Sequence, residues 1–243
     1  MAELFGFQIT RVKKQEDPKQ SFTTSPADDG TQVVAGGGYF GQYLDMEGTA
    51  KSEADLIRRY REISLHPECD MAIEDIINES VVANELRDAV RVNTDNLNYG
   101  KDIRRKIEDE FKEVLKLMQF NTKGHDIFRR WYVDGRLFYH KVINSKNPKL
   151  GIQEVRYIDP RKIRKVKAVQ KVPGPQGSVI VKDEQDYYLY NEKMLKGMMN
   201  QGMRIADDAI TYVPSGLIDA NKNQVLSYLH KAIKPVNQLR MIE

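Results

Sequence analysis

Several groups of residues in this sequence have types and spacings that could support chemistry. Glycines 36, 38 and 41 match the G-x-G-x-x-G pattern, in which glycines let a pyrophosphate approach a helix N-terminus. Only residues 31–35 could form the preceding strand, and no amphipathic helix or βαβ unit follows. A flexible glycine hinge is therefore the favoured interpretation. An enzyme that binds a cofactor on this segment is the least favoured of three functional hypotheses for the chain.

Paired carboxylates and possible metal ligands give equally weak signals. Acidic pairs at 74–75 and 207–208 could in principle act as general acid and base. Adjacent side chains on a helix diverge, so the first pair is predicted to be solvated surface, and the second is typical of a turn before a strand. His66 and Cys69 lie three residues apart, but no third ligand accompanies them. The sequence thus predicts no catalytic residue, no metal site and no cofactor.

A basic run between residues 161 and 167 is the strongest candidate for polyanion contact. Its cations are Arg161, Lys162, Arg164, Lys165 and Lys167. Such residues can contact phosphates without reading sequence. The run has no aromatic residue on which bases could stack. A strand face turned to solvent or to a neighbouring subunit is therefore favoured over a nucleic-acid site.

Charge is divided unequally along the chain, although the net charge of the 243 residues is only +3. Residues 52–98 contain 5 Lys and Arg against 11 Asp and Glu, whereas residues 141–171 contain 10 against 2. Solvated faces of alternating sign would explain this division. Alternatively, complementary faces meet between subunits, with Glu74, Asp75 and Glu79 opposite the basic run, or a polyanion lies near the sheet.

Composition limits the class of protein. Apolar residues make up 40% and charged residues 30% of a chain whose length fits one or two globular domains. The single cysteine, Cys69, cannot form an intrachain disulfide. The first residues lack a basic start followed by a long apolar stretch, so we expect no secretory signal and a cytoplasmic site of synthesis.

The periodicity predicts helices in the first half of an α+β fold. Residues 1–51 are rich in glycine and proline and are expected to form a flexible arm. Amphipathic patterns then predict helices within residues 52–133: one from Ser52, one over 67–84, one over 99–120 and a short one ending at Gly135. Phe128 and Trp131, at i and i+3, are expected to pack where the helices meet the sheet.

The second half is predicted to be a small antiparallel sheet or partly open barrel over residues 136–213. Its Val-, Ile- and Tyr-rich runs are 137–143, 152–158, 163–169, 179–181, 187–190 and 209–213. A helix is expected from about residue 224 to the end, kinked at Pro235. The predicted organisation is thus an arm (1–51), an α+β domain (52–223) and the start of a helix (224–243).

Three long strings resemble the portal vertex protein of T-even-like, contractile-tailed phages. They are residues 60–80, residues 131–143 followed by the Ile-Asp-Pro corner at 158–160 with 161–163, and residues 210–217 followed by 226–240. The resemblance covers residues 52–243 and corresponds to the peripheral wing region, ahead of the stem helices. Members of that family are about twice as long as this chain.

The resemblance implies a structural subunit of a dodecameric ring at one capsid vertex, the conduit for DNA packaging and ejection and the point of head–tail connection. Expected partners are copies of the same chain, major capsid and scaffold proteins, the large subunit of the packaging motor, neck proteins and the double-stranded DNA that passes through, with no small-molecule substrate. The expected location is the virion. The alternative is a monomeric nucleic-acid-binding module that uses the basic segment 141–171.

Overall fold

The computed structural model describes residues 2–4, 7–9, 29–36, 46–82, 88–173, 179–192, 202–219 and 224–242. The fold is α+β, as predicted, with helices α1–α4 preceding most of the strands. The helices are α1 (Met46–Ile63), α2 (Pro67–Ser80), α3 (Lys101–Leu117), α4 (Phe120–Asp134) and α5 (Ile233–Ile242). The strands are β1 (Ala2–Leu4), β2 (Phe7–Ile9), β3 (Gln32–Gly36), β4 (Arg136–Ile143), β5 (Ile152–Ile158), β6 (Ile163–Pro173), β7 (Val179–Tyr190), β8 (Met203–Ala206), β9 (Ile210–Pro214), β10 (Ile218–Asp219) and β11 (Gln224–Val225).

Helix boundaries follow proline and glycine. Pro67 occupies the first turn of α2, where its missing N–H costs no hydrogen bond. Gly135 ends α4 with a φ of +73°, and a Cβ at that position would lie 2.7 Å from the carbonyl oxygen of Leu226. No other residue type fits this junction without displacing the backbone. The chain therefore passes directly from α4 into β4.

Two helices begin at residues other than those predicted. α1 begins at Met46 rather than Ser52, because residues 46–51 include good helix formers that extend it toward the N-terminus. α5 begins at Ile233 rather than near 224, since residues 224–225 form β11 and Tyr228–Ala232 form a 3₁₀ helix. Pro235 accounts for the later start, because proline is tolerated in a first turn and disrupts a helix interior.

The strands form two main sheets. One is antiparallel with the order β5-β4-β9, and the other has the order β3-β6-β7-β8. Within the second sheet β3 runs parallel to β6, a pairing that the expectation of an antiparallel sheet did not include. β3 lies in the segment predicted to be an arm. The rest of that segment, apart from 2–4, 7–9, 29–31 and 46–51, lies outside the described residues.

Two apolar clusters lie in the interior of the described part of the chain. The helical cluster comprises Tyr60, Ile73, Ile77, Val133 and Leu229, with Phe128 and Tyr132 packed against it. The second comprises Phe138, Ile163, Tyr188 and Ile210, which come from both main sheets. Trp131 contacts Phe128 at a ring separation of 5.5 Å and donates a 3.4 Å hydrogen bond to the carbonyl oxygen of Pro214 in β9. The last turns of α4 thus connect the helices to the sheet.

Candidate functional site

A charged cluster joins α1, α4 and the turn between β5 and β6. Arg61 donates to both carboxylate oxygens of Asp134, at 2.8 and 2.7 Å, and to those of Asp159 at 3.3 and 3.2 Å. Arg161 donates to the same Asp159 through its guanidinium at 2.7 Å and its backbone N–H at 3.0 Å. We call these four residues the Arg61 cluster. They fix the Ile-Asp-Pro corner to the helices.

Burial and pairing act in opposite directions on the ionisation of this cluster. Burial alone would raise the pKa of Asp159, but hydrogen bonds from Arg161 and Arg61 outweigh burial and hold that pKa well below its usual range. The hydrogen bond to Asp134 raises the pKa of Arg61. The charged forms of Asp159 and Arg61 are therefore strongly favoured.

The Arg61 cluster borders a cleft of about 540 Å³. Arg129 and Arg130 also line it, together with Asp126 and Tyr157. Arg130 pairs with Asp126 at 2.8 Å and stacks over the ring of Tyr157, and Arg129 pairs with two carboxylates of α2. Each of these arginines already has a carboxylate partner. Among the described residues that line it, the cleft offers no unpaired arginine or lysine for an anion.

The basic run of β6 is largely paired within the chain. The ammonium of Lys165 lies 2.9 Å from Asp29 and 3.4 Å from Asp186, and that of Lys167 lies 3.7 Å from Glu184. Burial alone would lower the pKa of Lys165, but the hydrogen bond to Asp29 and the negative charges of Asp29, Asp186 and Asp207 together outweigh burial and raise that pKa.

The other cations of the run are not fully open to solvent either. Arg164 is buried, and burial lowers its pKa. Lys162 is half-buried, and Arg161 belongs to the Arg61 cluster. The expectation of an exposed basic face is therefore wrong for Arg164 and Lys167. These two residues lie on opposite faces of β6, and both faces are covered, since Val166 and Val169 are also fully buried on opposite faces. A role for this run in contacts between subunits stays a prediction.

The acidic residues predicted to oppose that run lie on the outer surface of α2. Glu74, Asp75 and Glu79 are all exposed. Glu74 pairs with Arg129 of α4, as does Asp70. Their role in contacts between subunits likewise stays a prediction.

Two other expectations concern ligands. Gly36 ends β3, whereas Gly38 and Gly41 lie outside the described residues. Within the described part of the chain, no group of three His, Cys, Asp or Glu side chains is placed to hold a metal ion. No helix there is long and apolar enough to cross a membrane.

Comparison with known proteins identifies the family of the chain. Residues 53–243 match the model of the bacteriophage T4-like portal protein (Gp20). The chain belongs to the T4-like portal protein family. It is 32% identical to the portal protein of Vibrio phage KVP40 over 95% of its length, and 29% identical to that of Salmonella phage ViI over 88%. It spans 48% and 40% of the lengths of these relatives.

Sequence reasoning missed the Arg61 cluster as a unit. Its members come from positions as far apart as 61 and 161, so no local pattern links them. Two signals were nevertheless visible: the Asp-Gly turn at residues 134–135 and the Ile-Asp-Pro corner at 158–160 were among the strings that carried the family resemblance. Their acidic residues are the two carboxylates that Arg61 binds.

Proposed function

We propose that this chain forms the wing region of a portal subunit, and that twelve copies close into a ring at one capsid vertex. The family match over residues 53–243 carries this proposal. In this role the ring is the conduit for DNA packaging and ejection and the point of head–tail connection. The chain acts by assembly rather than by catalysis.

The partners follow from that place in the virion. Copies of the chain contact one another around the ring, and the outer surface faces major capsid and scaffold proteins. The packaging motor's large subunit and the neck proteins bind the ring, and double-stranded DNA passes through its centre. The subunit is made in the host cytoplasm. No small-molecule substrate or cofactor has a part in this role.

Packing within the chain is consistent with a structural role. The charged groups of β6 and of the Arg61 cluster hold elements together rather than presenting a reactive group. The alternative, a nucleic-acid-binding module built on segment 141–171, requires cations free to contact phosphates. Lys165 and Lys167 in that segment already have carboxylate partners, so its β6 part does not meet this requirement. Lys141, Lys146 and Lys149 form no ion pair among the described residues, and the family match rather than the pairing of charges favours the portal role.

Native mass spectrometry and negative-stain electron microscopy over a range of protein concentrations test the proposal. We expect concentration-dependent closed rings, with twelvefold symmetry in class averages. A monomer at every concentration that binds DNA with a steep salt dependence would overturn the proposal and support the alternative.

A further inference from the structure

The β4–β5 hairpin extends beyond its own sheet. β9 pairs with β4 only from Arg136 to His140, whereas β5 pairs with β4 as far as Ile143. A 3₁₀ helix, Pro148–Leu150, lies in the connection between the two strands. Residues 141–151 therefore form a projection supported by two strands instead of three. Two-stranded ribbons are marginally stable alone and gain from a surface to pack on.

The chemistry of this projection is that of a contact surface. Ile143 and Leu150 expose 47% and 57% of their surface. Lys141, Lys146 and Lys149 lie in the same segment, and residues 141–151 contain no acidic residue. Within the described part of the chain, none of these three lysines forms an ion pair, in contrast to those of β6. We call these five residues the tip surface.

A surface of opposite charge lies where α1 turns into α2. Leu65 and Met71 are 77% and 70% exposed. Glu68 and Asp75 flank Met71 at i−3 and i+4, so the three share one face of α2. Asp75 forms no ion pair among the described residues, and the one ion-pair contact of Glu68 there is with a histidine at 3.8 Å. We call Leu65, Glu68, Met71 and Asp75 the corner surface.

We propose that the tip surface of one copy docks on the corner surface of the next copy in the ring. This inference rests on the proposed function, because identical subunits in a closed ring meet through two different surfaces. Each surface has an apolar centre, which supplies affinity, and a charged rim, which sets register and association rate. The rims have opposite sign. The two exposed aliphatic side chains of the tip surface, Ile143 and Leu150, fit a protein partner better than a phosphate backbone.

Crosslinking between differently tagged copies tests the contact directly. In a Cys69→Ala background, one copy carries Leu150→Cys and the other Met71→Cys, and a short bis-maleimide joins thiols that lie close together. The control replaces Met71→Cys by Val114→Cys, an exposed position on α3. We expect about tenfold more heterodimer from the first pair at low salt, and less as salt screens the rims. Equal yields from the two pairs would overturn the proposal.

Charge reversal provides a second test. Lys146→Glu with Lys149→Glu should weaken association between copies about tenfold, because two attractive contacts become repulsive. A chain that also carries Glu68→Lys and Asp75→Lys should regain most of the lost association. Lys112→Glu with Lys116→Glu is the matched control, since both lysines are exposed on α3. Circular dichroism checks that every variant is folded.

The results separate this inference from the proposed function. Rings with unselective crosslinking, or a tip reversal that associates as the control does, would overturn the docking surfaces and leave the portal role intact. Selective crosslinking without rings would support the docking surfaces and count against the closed ring. A tip reversal that loses DNA affinity while association is unchanged would assign the lysines to nucleic acid and overturn the proposal.

Discussion

Replacing Asp134 by Asn should destabilise the chain well beyond a typical surface substitution. The Asp134 side chain is 2% exposed and accepts two hydrogen bonds from Arg61, at 2.8 and 2.7 Å. Asn keeps one acceptor oxygen but turns an NH₂ group toward the guanidinium. Removing one partner of a buried ion pair costs roughly 3–5 kcal/mol. Arg61 is partly exposed and keeps Asp159, so we expect a loss of about 2–3 kcal/mol.

Equilibrium urea unfolding followed by circular dichroism measures this loss. Glu154→Gln is the matched control, because Arg156 contacts both oxygens of Glu154 at 2.8 and 2.7 Å in the same bidentate manner. That pair lies in solvent, so its loss should leave the unfolding midpoint nearly unchanged. If Asp134→Asn shifts the midpoint no more than Glu154→Gln does, the Arg61 cluster does not hold the helices to the sheet and the reasoning fails.

Three further predictions follow from individual side chains. The pKa of Asp159 is depressed in the folded chain, so its stabilising contribution should be present above about pH 4, the ordinary pKa range of an aspartate, and be lost as the pH falls below that value. Urea unfolding midpoints measured at several pH values should show this decrease, and Asp159→Asn should abolish it. Gln119 has a φ of +51°, so Gln119→Gly should stabilise the chain by about 0.5–1 kcal/mol, whereas Gln119→Ala should not. Lys165→Glu would place a carboxylate beside Asp29 and should cost about 2 kcal/mol in urea unfolding, whereas a midpoint equal to that of the unmodified chain would show that this pairing contributes nothing.

Local patterns predicted the elements that depend on local signals. The apolar spacing of residues 99–120 gave α3, and Gly135 marked the end of α4, because both are determined by nearby residues. β3 was missed as part of the sheet because its partner, β6, lies about 130 residues away and pairs with it in parallel. Five residues of modest apolar content carry no signal for such a long-range contact. Tertiary contacts decided that assignment.

The count of charged residues identified the basic segment, but it did not show which of its cations are free to bind a partner. The β6–β7 pairing sets Lys167 directly opposite Asp186, and this register also brings Lys165 within 3.4 Å of the same carboxylate. The second partner of Lys165, Asp29, comes from the predicted arm. Neither relation can be read from composition, because both depend on register and on the position of β3. A high net charge in a segment therefore does not show which of its charges are free and which are already paired.

The net attraction that a charged residue adds to a contact between copies depends on which partners, water and counterions it loses when the contact forms. Lys165 would have to leave Asp29 before it could bind a carboxylate on another copy, so that exchange yields little net attraction. Lys146 has no such partner among the described residues and loses only water and counterions. Reversal of β6 charges should therefore lower the free energy of unfolding, whereas reversal at the tip surface should weaken association and leave unfolding unchanged. If β6 reversal lowers stability and tip reversal weakens association, the contact lies at the tip surface. If both reversals have the same effect, this distinction is refuted.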